Sequence, residues 1–187
     1  YTSLNLHIDI QHTIGIRASI IRHTAGACGP DLFLVDKGPL GFRRDRFALI
    51  ASGTFWLSPT PDVPGKGWDA AYPRVASWAR LKDKASHHML LVVTTHFDHV
   101  GTTARTESAK QIRRWIGDNR KAGETAVLMG DFNSPATSNP YAAIVEPGKG
   151  ALRDSGTISR TPHYGPPGTF TGFDIARMDA SPIDHIF

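Results

Sequence analysis

Leu4, Leu6, Ile8 and Ile10 alternate with Asn5, His7 and Asp9, the period-two pattern of a strand with one polar face. Residues 14–23 predict a short helix, broken by the stretch from Gly26 to Pro30. Asp31-Leu32-Phe33-Leu34-Val35 reads as a second short strand that stops at Asp36-Lys37-Gly38. After the polar turn Arg43-Arg44-Asp45-Arg46, the aromatic and apolar run Phe47 to Leu57 predicts a strand, and the prolines and glycines from Pro59 to Gly67 a loop. Val75 to Leu81 predicts another strand, Lys82 to His88 a polar turn, and Met89 to Thr95 a β-branched strand buried on both faces.

Ala109, Ile112, Trp115 and Ile116 then recur at helical spacing, with Thr102 or Thr103 as the expected cap and Gly123 as the expected residue past the end. Ala126 to Met129 is the next strand and Pro140 to Val145 a short helix. Leu152 to Ser155 and Thr169 to Phe173 read as extended pieces around the loop Pro162 to Gly168, and Ile183 to Phe187 as a last strand. Strands with interspersed helices predict a mixed α/β layered domain. No repeat, low-complexity tract or linker divides residues 1–187, so one domain is expected.

Composition narrows this picture modestly. A chain of 187 residues suffices for one sizeable core. No apolar run approaches the ~20 residues of a membrane helix, and no charged segment followed by an apolar one marks a signal peptide. Tyr1 is not an initiator methionine, so the sequence is expected to be cut, and a soluble protein of either the cytoplasm or the secreted space fits. The single cysteine, Cys28, excludes an internal disulfide and a multi-cysteine zinc site. His7, His12 and His23 share no metal-ligand spacing. A net charge of +4 and a pI of about 9.4 favour anionic partners such as phosphate-bearing substrates, although the basic residues are scattered. No feature marks an obligate protein partner.

Three stretches carry candidate chemistry. In Gly130-Asp131-Phe132-Asn133, a carboxylate and an amide two residues apart follow a buried run. On an extended segment both would face one site, where the acid can take a proton from water and the amide can donate to a phosphoryl oxygen. The competing reading is an Asx turn, in which both bond their own backbone. Thr95-His96-Phe97-Asp98-His99 ends the most buried strand, placing an imidazole where it can bind phosphate, exchange a proton or ligate a metal. In Ser181-Pro182-Ile183-Asp184-His185-Ile186-Phe187 an acid stands among apolar residues and needs a partner, either a histidine to orient or an arginine such as Arg74 or Arg177. Trp68, Tyr72 and Phe173 are available for stacking on a base or sugar, or for the core.

These stretches, together with Phe47 to Ser58, Pro73-Arg74 and Gly168-Thr169-Phe170, stand in an order that resembles the endonuclease/exonuclease/phosphatase superfamily, in particular its bacterial metal-dependent hydrolases. The resemblance is clear over residues 42–187 and poor over 1–41. It implies a four-layered α/β sandwich of two packed, mostly antiparallel sheets flanked by helices. It also implies hydrolysis of phosphate esters, of the phosphodiesterase, nuclease or phosphatase type, assisted by Mg²⁺ or Mn²⁺.

By the same resemblance, Asp131 would activate water, His96 and Asn133 would hold the phosphate, and Asp184 would orient a catalytic histidine. His99, Arg74 and Arg105 would contact substrate, which a nucleic acid, a lipid headgroup or a small molecule could supply. Asn5 matches an early family asparagine, and Asp36-Lys37 stands where the family has its main metal-binding glutamate, so either Asp36 substitutes, with Asn5 and Asp36 as the expected ligands, or that ligand is absent. The family's final Ser-Asp-His segment is not reached, so truncation at both ends is expected, and His185 would face away from Asp184. The alternative function is an inactive fragment or degenerate copy acting at most as a phosphate-binding module.

Overall fold

The computed structural model describes residues 40–161, 168–170 and 181–187 in full, and the strand backbones of residues 4–11, 15–22 and 32–35. In chain order the strands are β1 (Leu4–Gln11), β2 (Gly15–Arg22), β3 (Leu32–Val35), β4 (Leu40–Arg43), β5 (Phe47–Trp56), β6 (Val75–Asp83) and β7 (Met89–His96). Helix α1 (Thr102–Asn119), strand β8 (Thr125–Asp131), helices α2 (Asn139–Val145) and α3 (Ser155–Ile158), and strand β9 (Asp184–Ile186) complete them.

Two sheets result, one ordered β2-β1-β4-β3 and the other β5-β6-β7-β8-β9. In the larger sheet only β7 and β8 run parallel, joined through α1 as a crossover that parallel strands require. Alternation along β7 and β8 sorts the core. Val93 and Leu128 face Ala109, Ile112 and Ile116 of α1 and Ala143 and Ile144 of α2. Leu90, Val92, Val127 and Met129 face Leu40 and Phe42 of β4 in the other sheet. The bulge between Leu49 and Ala51 shifts the side-chain parity of β5, so that Phe47 joins the inter-sheet core and Phe55 the helix-side core. The fold is therefore α/β with helix, sheet and sheet layered in turn. A helix outside the four-stranded sheet is not found among the described residues.

Several sequence expectations need correction. Residues 14–23 do not form a helix: Gly15–Arg22 is β2, paired antiparallel with β1 from Leu4↔Arg22 to Gln11↔Gly15. Its β-branched Ile16, Ile20 and Ile21 suit a pleated hairpin better than a short isolated helix. Neither Thr102 nor Thr103 caps α1, because both already lie within it. Asp69, from the loop before β6, instead accepts from the amides of Thr103 at 3.2 Å and Ala104 at 2.6 Å. A carboxylate there satisfies two orphan donors and the positive end of the helix dipole. Gly101 stands close under this clasp, since a Cβ there would lie 2.6 Å from Asp69 Oδ1. At its far end α1 stops at Asn119, and Gly123, with φ of 79°, shapes the turn into β8 rather than the helix cap. Of the extended piece expected from Leu152 to Ser155, Ser155 instead opens α3, and Asp154, itself extended, caps that helix by accepting from Gly156 N at 2.7 Å. The expected loop 162–168 lies outside the described residues except for Gly168, as does all of strand 169–173 beyond Phe170.

Candidate active site

The register of three neighbouring strands builds the site. His96, the last residue of parallel β7, stands opposite Asp131, the last residue of β8, and Asp131 stands opposite Asp184, the first residue of β9. Residues opposite one another share a face of the sheet, with strands about 4.8 Å apart. An imidazole and two carboxylates thus form one row across the sheet's end. The row before it, Thr95, Gly130 and His185, faces the other way. Gly130 is required there: its φ is 147°, and a Cβ would meet Thr95 O at 1.9 Å.

The strand ends are laced together. Phe97 N donates to Asp131 O at 2.8 Å, and Phe132 N donates to Ile183 O at 2.8 Å. Below the row Phe97 and Phe132 are both buried and meet edge to face at 4.9 Å. Asp131 and Asn133 are not on one extended segment. The chain turns at Asn133, with φ of 45°, and Asn133 N donates to Asp131 Oδ1 at 2.8 Å, which is the Asx turn. The Asn133 side chain continues toward β7, its Nδ2 donating to Phe97 O at 2.9 Å.

Environment separates the titrating groups. Burial pushes the Asp131 carboxyl above its usual range, against the Asn133 amide and the charges of Arg74 and His185. Asp184 is also raised, by burial first and by the charge of Asp131, against a hydrogen bond from Thr169. His96 is lowered by burial and by the Arg74 charge, so its imidazole is neutral at pH 7. His96 Nε2 lies 3.6 Å from Asp131 Oδ2, too far for a direct hydrogen bond. A neutral histidine and two destabilised carboxylates are suited to general acid–base chemistry.

His185 does not pair with Asp184. It is buried and its Nε2 donates to Ser134 O at 2.8 Å, on the face away from the row. The reason is the strand alternation expected from the sequence. Arg74 reaches the site's border, with Nε 3.4 Å from Asp98 Oδ1 and a terminal nitrogen 3.3 Å from His99 Nδ1. His99 is exposed and stacks on Tyr72, ring centres 5.8 Å apart. Arg105 sits in the first turn of α1 and donates to Asp98 O at 3.0 Å. Asn5 lies on β1 opposite Ile21, and Asp36 lies outside the described residues. Among the described residues, no three His, Cys, Asp or Glu side chains are grouped to hold a metal ion.

A sequence profile of the Endonuclease/Exonuclease/phosphatase family matches residues 10–187. The chain belongs to this family. Among solved structures, a family protein from Bacteroides thetaiotaomicron is 42% identical, with a TM-score of 0.73 over 79% of this chain and 53% of its own. The mannosyl-6-phosphatase of the same organism is 39% identical, with a TM-score of 0.77 over 84% of this chain and 62% of its own. A family protein from Bacteroides vulgatus is 40% identical, with a TM-score of 0.69 over 79% and 56%. The chain thus spans between 53% and 62% of the length of these relatives. No curated protein sequence matched it.

Within this family fold, the candidate residues missing from the sequence reading are Asp98 and Asp69. Asp98 is 2% exposed and accepts from the amides of Ala71, Tyr72, Val100 and Gly101 and from Arg74. Burial alone would raise its pKa, but the four backbone donors outweigh burial and hold it well below the usual carboxylate range. Asp98 was visible within the His96 to His99 motif as a charge between a core phenylalanine and a histidine. Asp69 left no signal, because its partners lie more than thirty residues away, at Thr103 and Ala104.

Proposed function

We propose that this chain carries a hydrolytic centre for phosphate esters, with the His96–Asp131–Asp184 row at its heart. The observation that carries this reading is the row itself, a neutral imidazole at one end followed by two neighbouring carboxyls that burial drives toward protonation. In this reading Asp131 takes the proton of an attacking water, which the Asx turn leaves to Oδ2, since Oδ1 already accepts from Asn133 N. Oδ2 and His96 Nε2, 3.6 Å apart, can both turn to one water or phosphoryl oxygen lying to the side of the line that joins them. His96 donates to the phosphate, and the free hydrogen of Asn133 Nδ2 adds a second donor as charge develops. Asp184 keeps the polarity of the row in place of orienting a histidine. Arg74 and Arg105 form the cationic border that receives the phosphate, with His99 beside Arg74 as a further polar contact.

A divalent ion, Mg²⁺ or Mn²⁺, is proposed as cofactor, with Asn5 and Asp36 as its ligands. An amide and a carboxylate are hard oxygen donors that suit such ions, which also keep several waters. When bound, it would act as a Lewis acid on the phosphoryl oxygens. The relative named a mannosyl-6-phosphatase supports a small phosphomonoester as substrate.

The test is hydrolysis of a chromogenic phosphate ester with Mg²⁺ or Mn²⁺, with a chelator control and with Asp131→Ala and His96→Ala alongside. Chelator-sensitive turnover lost in both variants supports the reading. A folded protein without turnover favours the alternative, a phosphate-binding module.

A further inference from the structure

Tyr72 is 60% exposed although hydrogen bonds through Asp98 and Asp69 hold the loop that carries it. Its amide and that of Ala71 donate to Asp98, the buried carboxylate that also holds Val100 N and Gly101 N. Asp69, three residues before Tyr72, clasps the N-terminus of α1 in return. Two carboxylates from two loops therefore grip each other's segments. The Tyr72 ring is stacked on His99, interplanar angle 18°, and His99 Nδ1 is in turn 3.3 Å from Arg74. An exposed aromatic ring held this rigidly, with polar groups along its edge, is poor economy for a core and well formed for a flat ligand.

The place of this pair is equally specific. His99 follows His96 by three residues, so their backbones are at most about 10 Å apart. The Arg74 charge that touches His99 is also felt at His96 and Asp131. The stack is therefore beside the row, on the Arg74 side. We infer that the Tyr72–His99 stack is the leaving-group platform of this site, selecting phosphomonoesters whose alcohol carries a sugar ring next to the phosphate. The inference rests on the hydrolytic reading of the row. A pyranose one methylene from its phosphate can lay its apolar C–H face on Tyr72 while the phosphate sits at the row. A nucleobase, separated from its phosphate by a whole pentose, would be carried past the platform. An acyclic alcohol would leave the ring uncovered.

Calorimetric titration of the chain with mannose 6-phosphate, glycerol 3-phosphate and adenosine 5′-monophosphate tests this, on the wild type, Tyr72→Ala and Tyr72→Phe. Mannose 6-phosphate is expected to bind about tenfold more tightly than glycerol 3-phosphate. That preference should collapse to about twofold or less in Tyr72→Ala and persist in Tyr72→Phe, which retains the ring. Equal binding of the ring and acyclic esters, tighter binding of the nucleotide, a preference unchanged in Tyr72→Ala, or no binding at all would overturn the platform. Turnover of the same esters separates the two ideas. Ring-selective binding without hydrolysis would remove the catalytic reading and leave the platform standing, whereas hydrolysis of all three alike would do the reverse.

Discussion

At the scale of single residues, the site depends on small differences in environment between like groups. Asp131 and Asp184 stand side by side, and burial raises both above the ordinary carboxylate range of about 3.9. In the proposed mechanism water activation needs the ionised form of Asp131, so activity should be present above its raised pKa and lost as pH falls through it. The acid limb of kcat/KM should therefore fall above about 3.9, and a limb at or below that value would contradict the assignment. Gly130 makes a different demand. Gly130→Ala places a methyl against Thr95 O and strains a φ of 147°, so urea denaturation should show a loss of about 3 kcal/mol or more. The candidate acid, histidine and amide were each visible in the sequence as polar residues ending apolar runs. Their alignment was not. It depends on the β7–β8–β9 register, which pairs residues 35 and 53 positions apart in the chain (His96 with Asp131, Asp131 with Asp184). Asn133 shows the limit most clearly, because extended spacing and the Asx turn predict the same residues with opposite geometry, and only the turn is present.

At the scale of elements, helix α1 is placed by its apolar stripe and by two distant carboxylates. The stripe was legible, since Ala109, Ile112 and Ile116 are buried as their spacing predicts. Ile112 is 0% exposed in the helix-side core, and Ile112→Ala should cost about 2–5 kcal/mol in a denaturant titration. The caps were not legible, because the partners of the α1 N-terminus come from another loop. Asp98→Ala removes the acceptor of four buried or half-buried amides and of Arg74, and should cost about 3 kcal/mol. It should also weaken substrate binding, because Arg74 and Tyr72 lose their common anchor. The misreading of β2 as a helix has a related cause. A hairpin of eight residue pairs stabilises strand geometry that its local sequence leaves undecided.

For the whole molecule, three buried ion-paired acids link stability to pH. Asp83 with Arg46, Asp98 with Arg74, and Glu124 with Arg80 have side chains no more than 4% exposed, and all three carboxyls are lowered in the fold. A depressed folded pKa contributes stability that is complete above the unfolded value and lost as pH falls through the folded one. The thermal midpoint should thus be level near neutrality and fall steadily below about pH 4. Asp83→Asn should lower the midpoint at pH 7 and flatten that fall. The net charge of +4 is spread over the chain, so binding of a small phosphomonoester should depend on salt far less than the 10³–10⁵-fold change, roughly, of a polyanion-binding surface between 50 and 200 mM. The layered α/β class was legible from strand and helix periodicity, and the family from the order of its motifs; the sorting of the two cores was hidden because a single bulge in β5 reverses its faces.

If the strand-end row carries out hydrolysis as proposed, Asp131→Asn should all but abolish it without unfolding the protein. The amide keeps an oxygen to accept from Asn133 N, so the Asx turn survives while the base is lost. Steady-state hydrolysis of a phosphomonoester with Mn²⁺ should show kcat reduced by about 10²–10⁴ with the thermal midpoint nearly unchanged. Turnover within about twofold of wild type, in a variant that melts normally, would show that the row is not the hydrolytic centre.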